Sequence, residues 1–179
     1  MSNRIYVIFP RTKKSPRTLH DVKETVNLAY PTLELKYSSV RNDFEISNKK
    51  VSLSWIGYNE FDFYDYVKRE IWSMFIWENI EYLHEYSEVS INLWKLILQV
   101  CEVLKSEECW IISELSSDYL LIDEGPLWPM ELWHEHCNNL LNVLKGEPLG
   151  NIEEKPLMYV SVDDIRQIII LLNNKVKGL

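Results

Sequence analysis

Half of the 22 aromatic residues of this chain, 11 of them, fall between Trp55 and Tyr86, and Trp72, Phe75 and Trp77 crowd one short stretch of it. Large rings each bury much apolar area, so Ile71-Trp72-Ser73-Met74-Phe75-Ile76-Trp77, which lacks a charged side, has to be enclosed by other elements. This density marks a core and not a catalytic centre. A helix from about Glu60 to Tyr86, capped by Asn59 with Asp62 at its third position, accommodates the segment. A second helix opens at Ser87, with Val89, Leu93, Leu96, Ile97, Val100, Cys101 and Leu104 on one stripe and Lys105 at its end. The two are expected to pack as an antiparallel hairpin.

The flanking sequence reads as strands and short helices. Ile5 to Phe9 is β-branched and aromatic, and Pro10 ends it. Thr18 and Asp21 have the spacing of a capping box, and Leu19, Val22, Val26 and Ala29 fall on one face of a helix that stops at Tyr30, before Pro31. Period-two patterns over Leu33–Leu35, Phe44–Ser47 and Val51–Ile56 predict three further strands, with Asn48-Lys49-Lys50 as a turn. Trp110–Ser113 and Tyr119–Ile122 are expected to form a hairpin, and Pro129 to start a helix ending near Gly146. Leu157–Val160 is expected as a last strand, before a terminal helix capped by Ser161 and Asp164 with Ile165, Ile168, Ile169 and Leu172 inward. The expected fold is a single α+β domain over residues 1–179, with a mostly antiparallel N-terminal sheet of about four strands and a central aromatic helical hairpin.

Composition narrows the function classes. Three cysteines, Cys101, Cys109 and Cys137, leave an odd thiol and contain no Cys-x-x-Cys, which fits reduced thiols in the cytoplasm. No unbroken apolar run is longer than that from Ile168 to Leu172, which is far too short to cross a bilayer, and the apolar stretch before Pro10 is too short for a secretory core. Residues 1–50 hold ten Lys/Arg against five Asp/Glu, whereas residues 51–179 hold nine against 22, and the whole chain carries −8. Such a body repels polyanions and anionic lipid and attracts basic surfaces.

No phosphate-cradling glycine loop and no Gly-x-Ser-x-Gly elbow occurs, and no cofactor signature was found. His134-Glu135-His136-Cys137 invites a metal or acid/base reading. On a helix, however, His134 and His136 project about 160° apart, so they cannot share an ion, and no metal is expected there. The carboxylates Glu107, Glu108, Glu114, Asp118, Asp123 and Glu124, with Tyr119 and Trp128 as aromatic anchors, read best as a partner-binding surface. The function expected on these grounds is non-enzymatic: a protein of the toxin-antidote (immunity protein) or phage-encoded inhibitor type, occluding a protein partner with a basic surface. The alternatives are a small enzyme using His134 or His136 with nearby carboxylates, nucleic-acid or phosphate binding through the basic loop Arg11–Arg17, and a small-ligand cavity near Trp55, Trp72 and Trp77.

Overall fold

The computed structural model describes residues 4–38, 43–48, 50–51, 54–62, 68–113 and 157–178. Its elements in chain order are β1 (Arg4–Pro10), α1 (Leu19–Ala29), β2 (Glu34–Ser38), β3 (Asp43–Ser47), β4 (Ser54–Asp62) and β5 (Lys68–Asn79). A 3-10 turn (Ile80–His84) follows, then α2 (Glu88–Val103), β6 (Glu108–Ser113), β7 (Leu157–Ser161) and α3 (Val162–Lys177). The strands make one sheet in the order β2-β3-β4-β5-β1-β6-β7, and each described pairing is antiparallel. The class is α+β: about four strands were expected in an N-terminal sheet with further short strands after it, and the described strands instead join in one sheet of seven in which β5 stands where a helix was expected. No described helix is long and apolar enough to cross a membrane.

Local chemistry sets the helix starts. Thr18 Oγ1 accepts from the Asp21 amide and Asp21 Oδ2 accepts from the Thr18 amide, both at 3.1 Å, so two of the amide groups at the start of α1 find partners reciprocally. Ser161 and Asp164 repeat the arrangement at α3, again at 3.1 Å, and Lys175 and Lys177 in its last turn suit the negative end of the helix. Ser87 Oγ accepts from the Ser90 amide to open α2. Before that cap, the Leu83 carbonyl accepts from both Ser90 Oγ and Trp94 Nε1, which satisfies buried polar groups where the chain turns into the helix.

The core lies on one face of the sheet. Ile5, Val7 and Phe9 of β1 stand opposite Ile76, Met74 and Trp72 of β5, and Val7 also stands opposite Ile111 of β6. Side chains alternate across a strand, so these residues share a face. They are buried in one cluster with Val22 and Val26 of α1, the apolar stripe of α2, and Ile165, Ile168 and Leu172 of α3. The opposite face carries Tyr6, Ile8, Phe75, Trp77 and Trp110, of which Ile8 and Trp110 are also fully buried but stand outside that cluster. Burial raises the Tyr6 phenol above its ordinary pKa, and a hydrogen bond with Ser73 partly opposes the shift.

The long helix expected from Glu60 to Tyr86 is not formed. Its span is the β4–β5 pairing, Ser54↔Ile76 through Asp62↔Lys68, then the 3-10 turn and the approach to α2. The expected helical hairpin is therefore replaced by a strand pair followed by one helix. The physical reason lies in Ile71–Trp77, which has no polar side under either period and so cannot reveal its period by amphipathicity. Its β-branched and aromatic content favours a pleated strand. Trp72, Met74 and Ile76 point into the helix-side core, while Trp77 on the other parity is 45% exposed beneath the Arg4 guanidinium, 2.8 Å from its ring centre. Asn59 and Asp62 lie within strand β4.

Smaller corrections follow the same logic. Val89, assigned to the buried stripe, sits in the first turn of α2 and is 46% exposed, and Ala29 in the last turn of α1 is exposed. Trp110–Ser113 lies in β6 as a strand, but β6 pairs with β1 and β7. The expected second arm, Tyr119–Ile122, and the expected helix from Pro129 to Gly146 lie outside the described residues.

The two tryptophans of β5 provide a test. Trp72 is fully enclosed and its Nε1 donates to the Pro16 carbonyl at 3.1 Å, so Trp72→Ala should lower stability by about 3–5 kcal/mol in denaturant unfolding. Trp77→Ala, which removes a half-exposed ring and one cation–π contact, should cost on the order of 1 kcal/mol. Equal losses at both positions would contradict the alternation.

Candidate functional site

Four separate pieces of chain are drawn to one end of the sheet by hydrogen bonds that the sequence sets up locally. The helix α2 ends in a Schellman arrangement, in which the Ser106 amide donates to the Cys101 carbonyl and the Lys105 amide to the Glu102 carbonyl. Lys105 takes the left-handed position usually filled by glycine, with φ 54°. The reversed chain is then fastened to the loop after β1, because Ser106 Oγ donates to the Pro10 carbonyl at 2.7 Å and Thr12 Oγ1 donates to the Lys105 carbonyl at 3.0 Å. Glu108 next pairs with Ser161 in register, and the Val162 amide donates to the Glu107 carbonyl at 2.9 Å, so α3 starts beside the first residue of β6.

Between these pieces lies a cleft of about 620 Å³. Its charged lining is mixed: Lys14, Lys105 and Arg166 stand with Glu102, Glu107, Glu108 and Asp163, and Tyr30 and Cys101 complete the lining with small residues of the turns. Arg166 spans two of the carboxylates, at 3.1 Å from Asp163 and 3.7 Å from Glu102, which ties the first turn of α3 to the last turn of α2. These groups are partly exposed, so the pairs orient side chains more than they stabilise the fold. Lys14, Lys105 and Glu107 form no ion pair among the described residues. Burial raises the Tyr30 phenol above its ordinary pKa, and the nearby Glu102 carboxylate raises it further.

Such a lining can receive groups of both signs, with positions for an acid near Lys14 or Lys105 and for a base near Glu107. Among the described residues, no group of three or more His, Cys, Asp and Glu is arranged to hold a metal ion. His20 stands on the exposed side of α1, its Nε2 3.1 Å from Glu24.

Of the sequence-predicted partner surface, Glu107 and Glu108 are placed at this cleft, Glu107 exposed and Glu108 half-buried. Glu114, Asp118, Tyr119, Asp123, Glu124 and Trp128 lie outside the described residues, as do His134, His136 and Cys137. The basic loop Arg11–Arg17, given as an alternative nucleic-acid or phosphate site, contributes Lys14 to the same cleft. A shared aromatic cavity for Trp72 and Trp77 is overturned, since the two occupy opposite parities of β5 and face opposite sides of the sheet. Sequence reasoning did not single out Tyr30, Glu102, Lys105, Asp163 and Arg166 as site residues. Each sits at a helix end, and only the sheet order brings those ends together.

No family model, no curated protein and no solved structure matches this chain.

Two measurements probe the cleft. Lys105→Gly should raise stability by roughly 0.5–1 kcal/mol, because an L side chain in the left-handed region costs more than the extra freedom glycine gains on unfolding. A lower melting temperature would contradict the assigned turn. In a difference absorbance titration against Tyr30→Phe, the Tyr30 phenol should ionise above its ordinary range, and Glu102→Gln should bring it part of the way back. Because folding raises this pKa, the linked stability is present below the unfolded value near 10 and is lost as pH climbs through the folded one. Ionisation at or below the ordinary value would contradict the arrangement.

Proposed function

We propose that this protein is a non-enzymatic, cytoplasmic binding protein that occludes a basic surface on another protein, in the manner of an antidote to a toxic enzyme or of a phage-encoded inhibitor. The observation that carries the reading is the position of Glu107, exposed and without an ion pair among the described residues, at a cleft that Glu108, Glu102 and Asp163 also line. The long-range field supports it. Residues 51–179 carry 22 acidic against nine basic residues, which accelerates encounter with a cationic partner.

Mixed charge then sorts partners. A partner offering a base to Glu107 and an acid to Lys14 or Lys105 pairs at every contact, whereas a uniformly basic polymer meets like charge at the two lysines. Glu114, Asp118, Asp123 and Glu124 extend the acidic surface in this proposal, and Tyr119 and Trp128 serve as aromatic anchors. Nucleic acid and anionic lipid are disfavoured by the same field.

The test is capture from the native host with mass-spectrometric identification, repeated with Glu107→Lys, Asp118→Lys and Asp123→Lys combined. The wild type should retain a stoichiometric basic protein, and the reversed chain should lose it while melting at the starting temperature. With the purified pair, the association rate should fall roughly tenfold or more between low and physiological salt. A partner held equally well by the reversed chain, or at a salt-independent rate, would overturn the reading.

A further inference from the structure

We propose that the cleft seats the last residue of a partner's chain, with the free α-carboxylate at Lys14 and Lys105 and a basic side chain of the same residue at Glu107. This rests on reading the cleft as the partner's contact surface and specifies what enters it. Thr12 ties the two lysines together through the backbone, because its Oγ1 donates to the Lys105 carbonyl at 3.0 Å and accepts from the Lys14 amide at 3.3 Å. Both lysines line the cleft, both are exposed, and neither forms an ion pair among the described residues. Two such cations suit an incoming carboxylate. Asp163 and Glu102, the nearest rivals for them, are held by Arg166.

Lys105 carries a second mark. Its φ of 54° is strained for an L side chain and freely taken by glycine, so the chain keeps an ammonium at this turn at a cost to the fold. Strain retained in a residue that lines an opening points to a use for its side chain. Glu107, exposed and without an ion pair among the described residues, follows two positions later, which sets the two Cα atoms at most about 7 Å apart. A terminal arginine or lysine bears its carboxylate and its cation over a comparable span. An internal acidic and basic pair brings the same charges on two side chains and has to immobilise both, whereas the terminal carboxylate sits on the backbone and leaves one side chain to order.

The charge of the whole chain supplies a control. At −8 it attracts an amidated basic peptide more than the free acid, because amidation removes the negative end. A preference for the free acid therefore has to arise locally, at the lysines.

Fluorescence polarisation of the full chain with N-terminally labelled Gly-Ser-Gly-Ser-Arg tests this. The free acid should bind roughly tenfold or more tighter than its C-terminal amide, than Gly-Ser-Gly-Ser-Ala, and than amidated Gly-Ser-Arg-Glu-Ser-Gly, in which both charges are internal. That series uses the wild type and needs no variant to fold. Lys105→Gly, which eases the turn, and Lys14→Ala should each remove the preference for acid over amide, Lys105→Arg should keep it, and Glu107→Gln should remove the preference for arginine over alanine. An amide or internal-charge peptide bound as well as the free acid, a free acid that does not bind, or a preference that survives Lys105→Gly would each overturn the proposal. The reading of the cleft as a partner surface fails separately, when the charge-reversed chain captures its partner undiminished. A captured partner that stays bound after loss of its last residue would leave that reading intact and overturn the terminal seat.

Discussion

Everything in this fold hangs on the first strand being held in the middle of the sheet. Val7 faces Met74 on one side and Ile111 on the other, so β1 is the seam between a four-strand meander, β2 to β5, and the β6–β7 pair. Both of its pairings join residues distant in sequence, and their loop-closure entropy has to be met by burial of the Trp72, Met74 and Ile76 face against the helices. Once β1 is seated, the loop that follows it is delivered to the C-terminal turn of α2, where Thr12 and Ser106 tie the two together. The cleft is a by-product of that closure.

Local signals and long-range ones were legible to very different degrees. Both capping boxes, the stop at Tyr30, the start of α2 at Ser87 and the Asn48 turn, whose Oδ1 accepts from the Lys50 and Val51 amides, are written in residues three or fewer positions apart, and the structure forms each of them. Ile71–Trp77 was not legible because an apolar run without a polar side looks the same in a strand as in a buried helix. Only its β-branched and aromatic content distinguished the two. The cleft was half legible: Glu107, Glu108 and the basic loop stood out as charge, but nothing along the chain says that Lys14 and Arg166, some 150 positions apart, line one opening.

The sheet runs from β2 at one edge to β7 at the other, and the cleft forms where β6 and β7 meet the helix ends. There Arg166 holds Glu102 and Asp163 and leaves Glu107 for an incoming group.

The most direct measurement of the central seam is a set of proton–proton contacts in solution by nuclear magnetic resonance. The backbone of Val7 should show cross-strand contacts to both Met74 and Ile111, with the Ile5 and Phe9 neighbourhoods following in antiparallel register. Contacts between residues three and four apart through Ile71–Trp77, with none from Val7 to Met74, would mean that the segment is helical and that the sheet, its seam and the cleft built on it are wrongly assembled.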